Sequence, residues 1–281
     1  MVKISEAIGL SFDILKQAVP SPRGEAEHLA AFVLGKDRLH LAIHKNDEMS
    51  SDCLEKLKLF SNQRAKGKPL AYITGIKEFM SLEFEVNKNV LIPRPETEEL
   101  AEYIIELYKD KNVKILDLCT GSGAICISLA HYIDSAFCKG VDISPLAIET
   151  AKRNAKKLGV DKRCEFEIYD VLSPKDMNQK FDVVVSNPPY IETNVIEALE
   201  ATVKDFEPRL ALDGGHDGLL FYKKIAQSIS LYLKKGGMLF LEIGYNQGEE
   251  LKEIMAQNFD GVKIIKDLSG HDRIAIGRYK G

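Results

Sequence analysis

The residues Ser186-Asn187-Pro188-Pro189-Tyr190-Ile191-Glu192 follow an apolar run, Phe181-Asp182-Val183-Val184-Val185, that reads as a strand. Pro188 biases Asn187 toward an extended backbone. The two prolines hold φ near about −65° and remove two N–H groups, which leaves backbone carbonyls able to face outward as acceptors. An amide oxygen and a carbonyl held in this way form a pair of acceptors for one NH2 group. Such a pair suits a planar nitrogen whose lone pair is conjugated, either an exocyclic base amine or a carboxamide. A nitrogen of this kind is a weak nucleophile, so orientation and preorganised polar groups must carry the chemistry. Tyr190 can pack on the planar group. Asn187, Pro188 and Tyr190 are the candidate catalytic residues, with Pro189 beside them on the substrate side.

A second group of residues suits a nucleoside. In Lys114-Ile115-Leu116-Asp117-Leu118-Cys119-Thr120-Gly121-Ser122-Gly123-Ala124, two glycines stand between a strand-like run and a helical one, where a backbone without Cβ atoms can pass close to a ligand. Asp142 ends the next strand about twenty residues on, where a carboxylate can accept from both ribose hydroxyls. Asp170 ends the strand after that, at the same edge of the sheet. A dinucleotide site calls for a third glycine near the pyrophosphate, but here the loop runs Cys-Thr-Gly-Ser-Gly-Ala with Asp117 just before it. A carboxylate there repels pyrophosphate and attracts an ammonium, so S-adenosylmethionine fits better than NAD.

These groups need elements to place them. Alternating apolar runs and helical patterns after residue 112 (KILDL, a helix near Ala124–Tyr132, FCKGVD, a helix near Pro145–Leu158, CEFEIYD, FDVVVSN, GMLFLEI, VKIIKD, RIAIGR) predict a doubly wound α/β sheet, mostly parallel and covered on both faces. Thr97 reads as the cap of a helix through Tyr108. Leu82, Phe84 and Val86 alternate with other residues, and Asn87-Lys88-Asn89 offers turn chemistry before Val90-Leu91-Ile92. This predicts a β-hairpin over 76–92 that links two domains. Before it, helical spacing over Ile4–Val19, a Ser21-Pro22 start with a Gly35 stop, and short and long helices at Leu39–Ile43 and Ser51–Arg64 predict a small all-helical domain over residues 1–75.

Composition bounds the partners. The chain has 281 residues, 45% hydrophobic and 28% charged, with a formal net charge of −4. The first 90 residues hold 13 basic and 12 acidic side chains, so neither part carries the basic footprint of a nucleic-acid clamp. Five cysteines without a C-x-x-C pair argue against a disulfide framework or a zinc site and fit a reducing cytoplasm. His40 and His44 are four apart, but Leu41 stands where a zinc protease has Glu, so no metal is expected. No leader and no membrane span are expected either.

Taken together, KGKPLAYITGIKEF, VLIPRPETE, ILDLCTGSGAI, VDISPLAIETAKRNA, FDVVVSNPPYI, EPRLALDGGHDGL, LEIGYNQG and DLSGHDRIAIGR, in this order, closely resemble the release factor glutamine methyltransferases (the PrmC/HemK family) through nearly the whole chain. The resemblance implies a Rossmann-like class I S-adenosylmethionine-dependent methyltransferase domain over 93–281. It also implies a monomer that methylates the glutamine of the Gly-Gly-Gln motif of release factors. By the same matching, Asp117, Cys119, Thr120, Gly121, Ser122, Gly123, Asp142, Asp170 and Asn187 hold the cofactor. Asn187, Pro188, Pro189 and Tyr190 hold the substrate amide, and Arg94 to Glu98 shape the mouth of the site. One position departs: Cys119 stands where the family's loop has its first glycine. Catalytic motifs alone leave a ribosomal-protein glutamine methyltransferase open, and more remotely a DNA adenine N6-methyltransferase. A silent S-adenosylmethionine-binding protein is disfavoured by the intact Asn187, Pro188 and Tyr190.

Overall fold

The computed structural model describes residues 2–281. Contacts divide the chain into two compact units, one running through Ile76 and including Glu200–Phe206, the other holding Lys77–Leu199 and Glu207–Gly281.

The first unit contains β1 (Val2–Lys3), α1 (Ile4–Leu15), α2 (Pro22–Leu34), α3 (Arg38–Ile43), β2 (Glu48–Met49), α4 (Ser51–Ala65) and α5 (Leu70–Thr74). One face of α1 (Ile4, Ala7, Ile8, Ser11, Leu15) is buried at the 3–4 residue spacing that makes a helix amphipathic. It packs with Leu29 of α2 and Leu57 of α4 into a single core. α2 starts on Pro22, whose missing N–H costs a first turn nothing, and Gly35 closes it. Ser21 makes no side-chain cap bond, whereas the Ser50 hydroxyl accepts from Cys53 N–H at the start of α4. The unit is not wholly helical: Val2-Lys3 pairs antiparallel with Glu48-Met49, a pairing too short to leave a period in the sequence.

A hairpin of β3 (Ile76–Phe79) and β4 (Leu82–Glu85) begins at Ile76 of the first unit and otherwise opens the second. Its turn is Met80-Ser81, both at positive φ (52° and 58°), the geometry of a type I′ turn built without glycine or asparagine. The hairpin foreseen around Asn87–Asn89 is thereby corrected: 90–92 is not a strand. Val90 and Ile92 are buried in a strap that belongs to neither sheet, and Ile92 N–H donates to Glu207. There follow α6 (Pro95–Tyr108), β5 (Val113–Leu118), α7 (Ala124–Tyr132), β6 (Ala136–Asp142), α8 (Pro145–Lys157), β7 (Cys164–Ile168), β8 (Phe181–Ser186), α9 (Ala201–Lys204, in the first unit), α10 (Leu220–Ser228), β9 (Leu233–Glu242), α11 (Gly248–Ala256), β10 (Phe259–Lys266) and β11 (Asp272–Tyr279).

The seven-stranded sheet runs β7-β6-β5-β8-β9-β11-β10, parallel from β7 to β9, with β11 antiparallel to both neighbours. Successive residues of β5 face opposite layers. Ile115 packs with Leu100 of α6, Leu129 of α7 and Ala151 of α8, while Leu116 and Leu118 pack with Ile225 of α10 and Leu251 of α11. Two buried layers therefore clamp the sheet, as a doubly wound fold requires. Strand order reverses between β5 and β8, which opens a crevice at their carboxyl ends. Among the described residues, no helix is long and apolar enough to cross a membrane.

Candidate active site

The crevice holds a cleft with about 980 Å³ of empty space, part of it open to solvent. Its walls come from the carboxyl ends of four strands, including Cys119 and Gly121 after β5, Asp142 at the end of β6, Asp170 after β7, and Asn187 with Pro189 after β8. Val90 and Leu91 of the strap and Leu210 also line it.

Asp142 bridges two loops. Its Oδ2 accepts from Gly121 N–H and its Oδ1 from Ser144 N–H, each at 2.9 Å. Burial raises its pKa, partly offset by these backbone bonds. No atom lies within 4 Å of where a Cβ on Gly121 would stand, so that glycine keeps the wall open. Gly123 serves packing instead, since a Cβ there would come 2.7 Å from Ile127 and 3.1 Å from Ala151. The Ser122 carbonyl is held by Asn154 Nδ2 at 2.9 Å. Asp170 lies two residues beyond β7 rather than at its end, and its Oδ1 accepts from Leu172 N–H at 2.8 Å.

Asp117 is placed differently from the expectation. It is 0% exposed and does not line the cleft. From below the loop, its Oδ2 accepts from the Thr120 hydroxyl at 2.5 Å and from Cys126 N–H at 3.2 Å, while its Oδ1 has no partner. Burial pushes its pKa up to about 7. Asp117 and Thr120 thus brace the turn rather than meet a ligand's ammonium. Cys119 lines the cleft at φ 61°, the left-handed region that favours glycine, and burial raises its thiol pKa.

The two carboxylates at strand ends, an open glycine wall and apolar sides from Val90, Ile143, Leu172 and Phe221 fit a nucleoside with a polar ribose and a flat base. That set suits the nucleoside part of S-adenosylmethionine.

Asn187 stands beside this cleft with its Nδ2 donating to the Thr97 hydroxyl at 3.1 Å, which turns its Oδ1 away from Thr97. Thr97 is not the helix cap. α6 begins at Pro95 after Arg94, and Thr97, 4% exposed, sits in its first turn facing Asn187. Glu98, the next residue round the helix, turns to the hairpin, where its Oε1 accepts from Met80 N–H at 2.7 Å, so it is not at the mouth of the site. Arg94 pairs with the buried Glu207 at 2.5 Å, tying the strap to the segment that carries Pro208, Leu210 and Ala211. Tyr190 packs on the core layer behind the sheet, and burial raises its pKa.

Sequence reasoning missed the residues that hold the Asn187–Tyr190 loop. Gln247 Nε2 donates to the carbonyls of Tyr190 (3.2 Å) and Gly218 (3.3 Å), while its Oε1 accepts from Gly244 N–H. Gly214 and Gly218 lie so close that Cβ atoms would come 2.7 Å from Tyr190 Cα and 2.5 Å from its carbonyl oxygen, respectively. Asp217, in the same loop, accepts from Leu219 N–H and pairs with Lys223, which is turn chemistry.

Residues 109–273 match the family model described as "Methyltransferase domain", and residues 6–75 match "PrmC N-terminal domain". The chain is 39% identical to a release factor glutamine methyltransferase of Clostridium acetobutylicum over 98% of both chains. It is 40% identical to one of Moorella thermoacetica over 91% of this chain and 90% of that one. A solved methyltransferase structure from Pyrococcus furiosus shares the fold with a TM-score of 0.52 at 18% identity, covering 83% of this chain and 100% of that one. With the relatives alike from end to end and both halves matched, the chain belongs to the release factor glutamine methyltransferase family.

Proposed function

We propose that this chain, working as a cytoplasmic monomer, transfers the methyl group of S-adenosylmethionine to the side-chain amide nitrogen (N5) of the glutamine in the Gly-Gly-Gln motif of peptide chain release factors. The observation that carries the reading is the Asn187 amide, which is tied through Nδ2 to Thr97 and so left with its Oδ1 as an acceptor beside the nucleoside cleft. When bound, S-adenosylmethionine supplies an electrophilic methyl carried on a sulfonium.

The protein's part is orientation. Asn187 Oδ1 and the Pro188 carbonyl each accept one hydrogen of the target NH2, which fixes the amide plane and presents the face of the nitrogen to the cleft. Tyr190 packs on that plane. After transfer the nitrogen keeps one hydrogen and releases the other proton to water. Asp142 holds the ribose and Asp170 holds the cofactor beside it, and Asp117 with Thr120 keeps the loop shaped from beneath. Arg94, through Glu207, keeps the strap over the cleft. Residues 1–75 form the substrate-recognition element, joined through 76–92 to the catalytic part over 93–281, because an amide jaw alone cannot select one glutamine among many.

The test offers labelled methyl donor with a release factor, a large-subunit ribosomal protein and DNA in parallel. Label should enter the release factor and vanish when its motif glutamine is replaced. Label on the ribosomal protein or DNA instead would overturn the assignment. An intact release factor should also be methylated with a higher kcat/KM than a short Gly-Gly-Gln peptide, and equal values would refute the recognition role of residues 1–75.

A further inference from the structure

Beneath the Asn187 jaw lies a carboxylate with no part in the chemistry above. Glu242, the last residue of β9, is 1% exposed, and its Oε2 has no hydrogen-bond partner. A buried carboxylate is costly, and an apolar side chain would fill the same space more stably, so its presence calls for a role. Burial raises its pKa to about 7, and the neighbouring side chains of Thr97, Arg273 and Asn187 draw it back down. The other charged and titratable groups facing it are Arg273 of β11, Glu96 of α6, and the hydroxyls of Tyr190 and of Tyr222, the latter bonded to the Glu242 carbonyl at 3.0 Å. Arg273 is itself paired with Asp267.

The direction of the network follows from what each group can do. An ionised carboxylate only accepts, and Glu242 is ionised above about pH 7. The Thr97 hydroxyl, accepting from Asn187 Nδ2, has its own proton left to give, and the neighbouring Glu242 carboxylate, whose pKa Thr97 draws down, is available to take it. The order is thus N–H of Asn187 to O–H of Thr97 to the carboxylate of Glu242. Run in this order, it leaves Asn187 one way to point, with its oxygen toward the substrate. Reversed, Thr97 would donate to Asn187 Oδ1, and the amide would present NH2. An NH2 there repels the NH2 end of a glutamine amide and welcomes a glutamate carboxylate.

We propose that Thr97 and Glu242 are positioning residues that lock the polarity of the Asn187 amide, so that the site accepts a carboxamide NH2 and rejects a carboxylate. This rests on the functional reading above for its substrate, though the locked amide can be observed without any substrate.

The first experiment is therefore on the protein alone. In nitrogen-15 spectra, the Asn187 side-chain NH2 should exchange slowly with solvent, and Thr97→Val should make it exchange like an exposed amide. Fast exchange in the unaltered protein, or no change in Thr97→Val, would overturn the proposal whatever the substrate is. The second is kinetic, on a release factor. Thr97→Val and Glu242→Gln should each lower kcat by about tenfold or more, with cofactor affinity within about twofold, because the loss is confined to orientation. Glutamine at 242 can donate to Thr97 and so permits the reversed order. Thr97→Ser, which keeps the hydroxyl, should restore turnover. In an Asn187→Ala background, Thr97→Val should cost less than about twofold more, since both act through one group. Equal cost in both backgrounds would show a merely structural role. If Glu242→Gln does not fold, the Thr97 pair carries the test. Absence of label transfer by the unaltered enzyme would count against the functional reading, and the exchange measurement would still decide the positioning role.

Discussion

Replacing Asp142 by Asn tests the ribose assignment through a substitution that changes shape hardly at all. In the structure, Oδ1 and Oδ2 accept from Ser144 N–H and Gly121 N–H at 2.9 Å each. An Asn side chain offers one acceptor and one NH2, so whichever way it turns, a donor faces a backbone donor. One loop bond is lost, and the negative charge that would receive the ribose hydroxyls goes with it. A hydrogen bond to a charged group contributes about 1.5–3 kcal/mol, which corresponds to a Kd for the cofactor raised about 10- to 150-fold. Calorimetric titration with S-adenosylhomocysteine reads this directly, and a thermal melt on the same sample separates it from unfolding. A Kd within about twofold of the unaltered protein would refute the reasoning, since not even the smallest of these losses would have occurred. A fall in turnover at unchanged affinity would refute it differently, by placing Asp142 in the chemistry instead of the cofactor's grip.

Cys119→Gly should stabilise the protein by about 1 kcal/mol, because φ 61° strains a residue that carries a Cβ; an unchanged denaturation midpoint would mean that the thiol's packing offsets the strain. Gly218→Ala should push the Tyr190 carbonyl, 2.5 Å from the new Cβ, and lower methyl transfer by about tenfold while leaving cofactor affinity intact; parallel loss of both would indicate general collapse. Asp117→Asn should flatten the stability profile in acid. The folded Asp117 carboxyl, raised from 3.8 to about 7, binds a proton that the unfolded chain has released. Its contribution is therefore fully present below about pH 4 and lost as pH rises through about 7, a change of about 4 kcal/mol. Urea melts from pH 5 to 7.5 should show the unaltered protein losing stability relative to the variant across that window, and parallel curves would contradict the buried, protonated state.

The α/β alternation was legible because buried parallel strands are short apolar runs and their crossover helices have a different period. Val183-Val184-Val185 and Leu239-Phe240-Leu241 declare themselves even though they lie far apart in sequence and are paired through the sheet. The glycine loop, Asp142 and Asn187 were legible because each lies at a strand's carboxyl end, where topology alone brings loops together. The hairpin turn was misplaced because Met80 and Ser81 take positive φ without the usual residues, held by Glu98 on Met80 N–H and by Tyr132, which donates to the Met80 carbonyl. No local rule at positions 80 and 81 predicts that, since the compensation comes from 18 and 52 residues away.

The same limit explains why the jaw was read without its supports. Asn-Pro-Pro-Tyr carries its stiffness in its own backbone, so its meaning is local. Thr97, Glu242, Gln247 and Gly218 are ordinary residues until tertiary packing sets each against the jaw from a different element. Gln247 matters because its two ends hold Gly244 N–H and the Tyr190 carbonyl at once, and Gly218 matters because no side chain fits there. Thr97 was noticed, but for the wrong reason: a threonine near a helix start suggests a cap, whereas Pro95 already begins the helix and frees the hydroxyl for Asn187. What sequence shows is the group proposed to meet the substrate. What it hides is the polarity of that group, because an amide has two ends and only its neighbours decide which one faces the reaction.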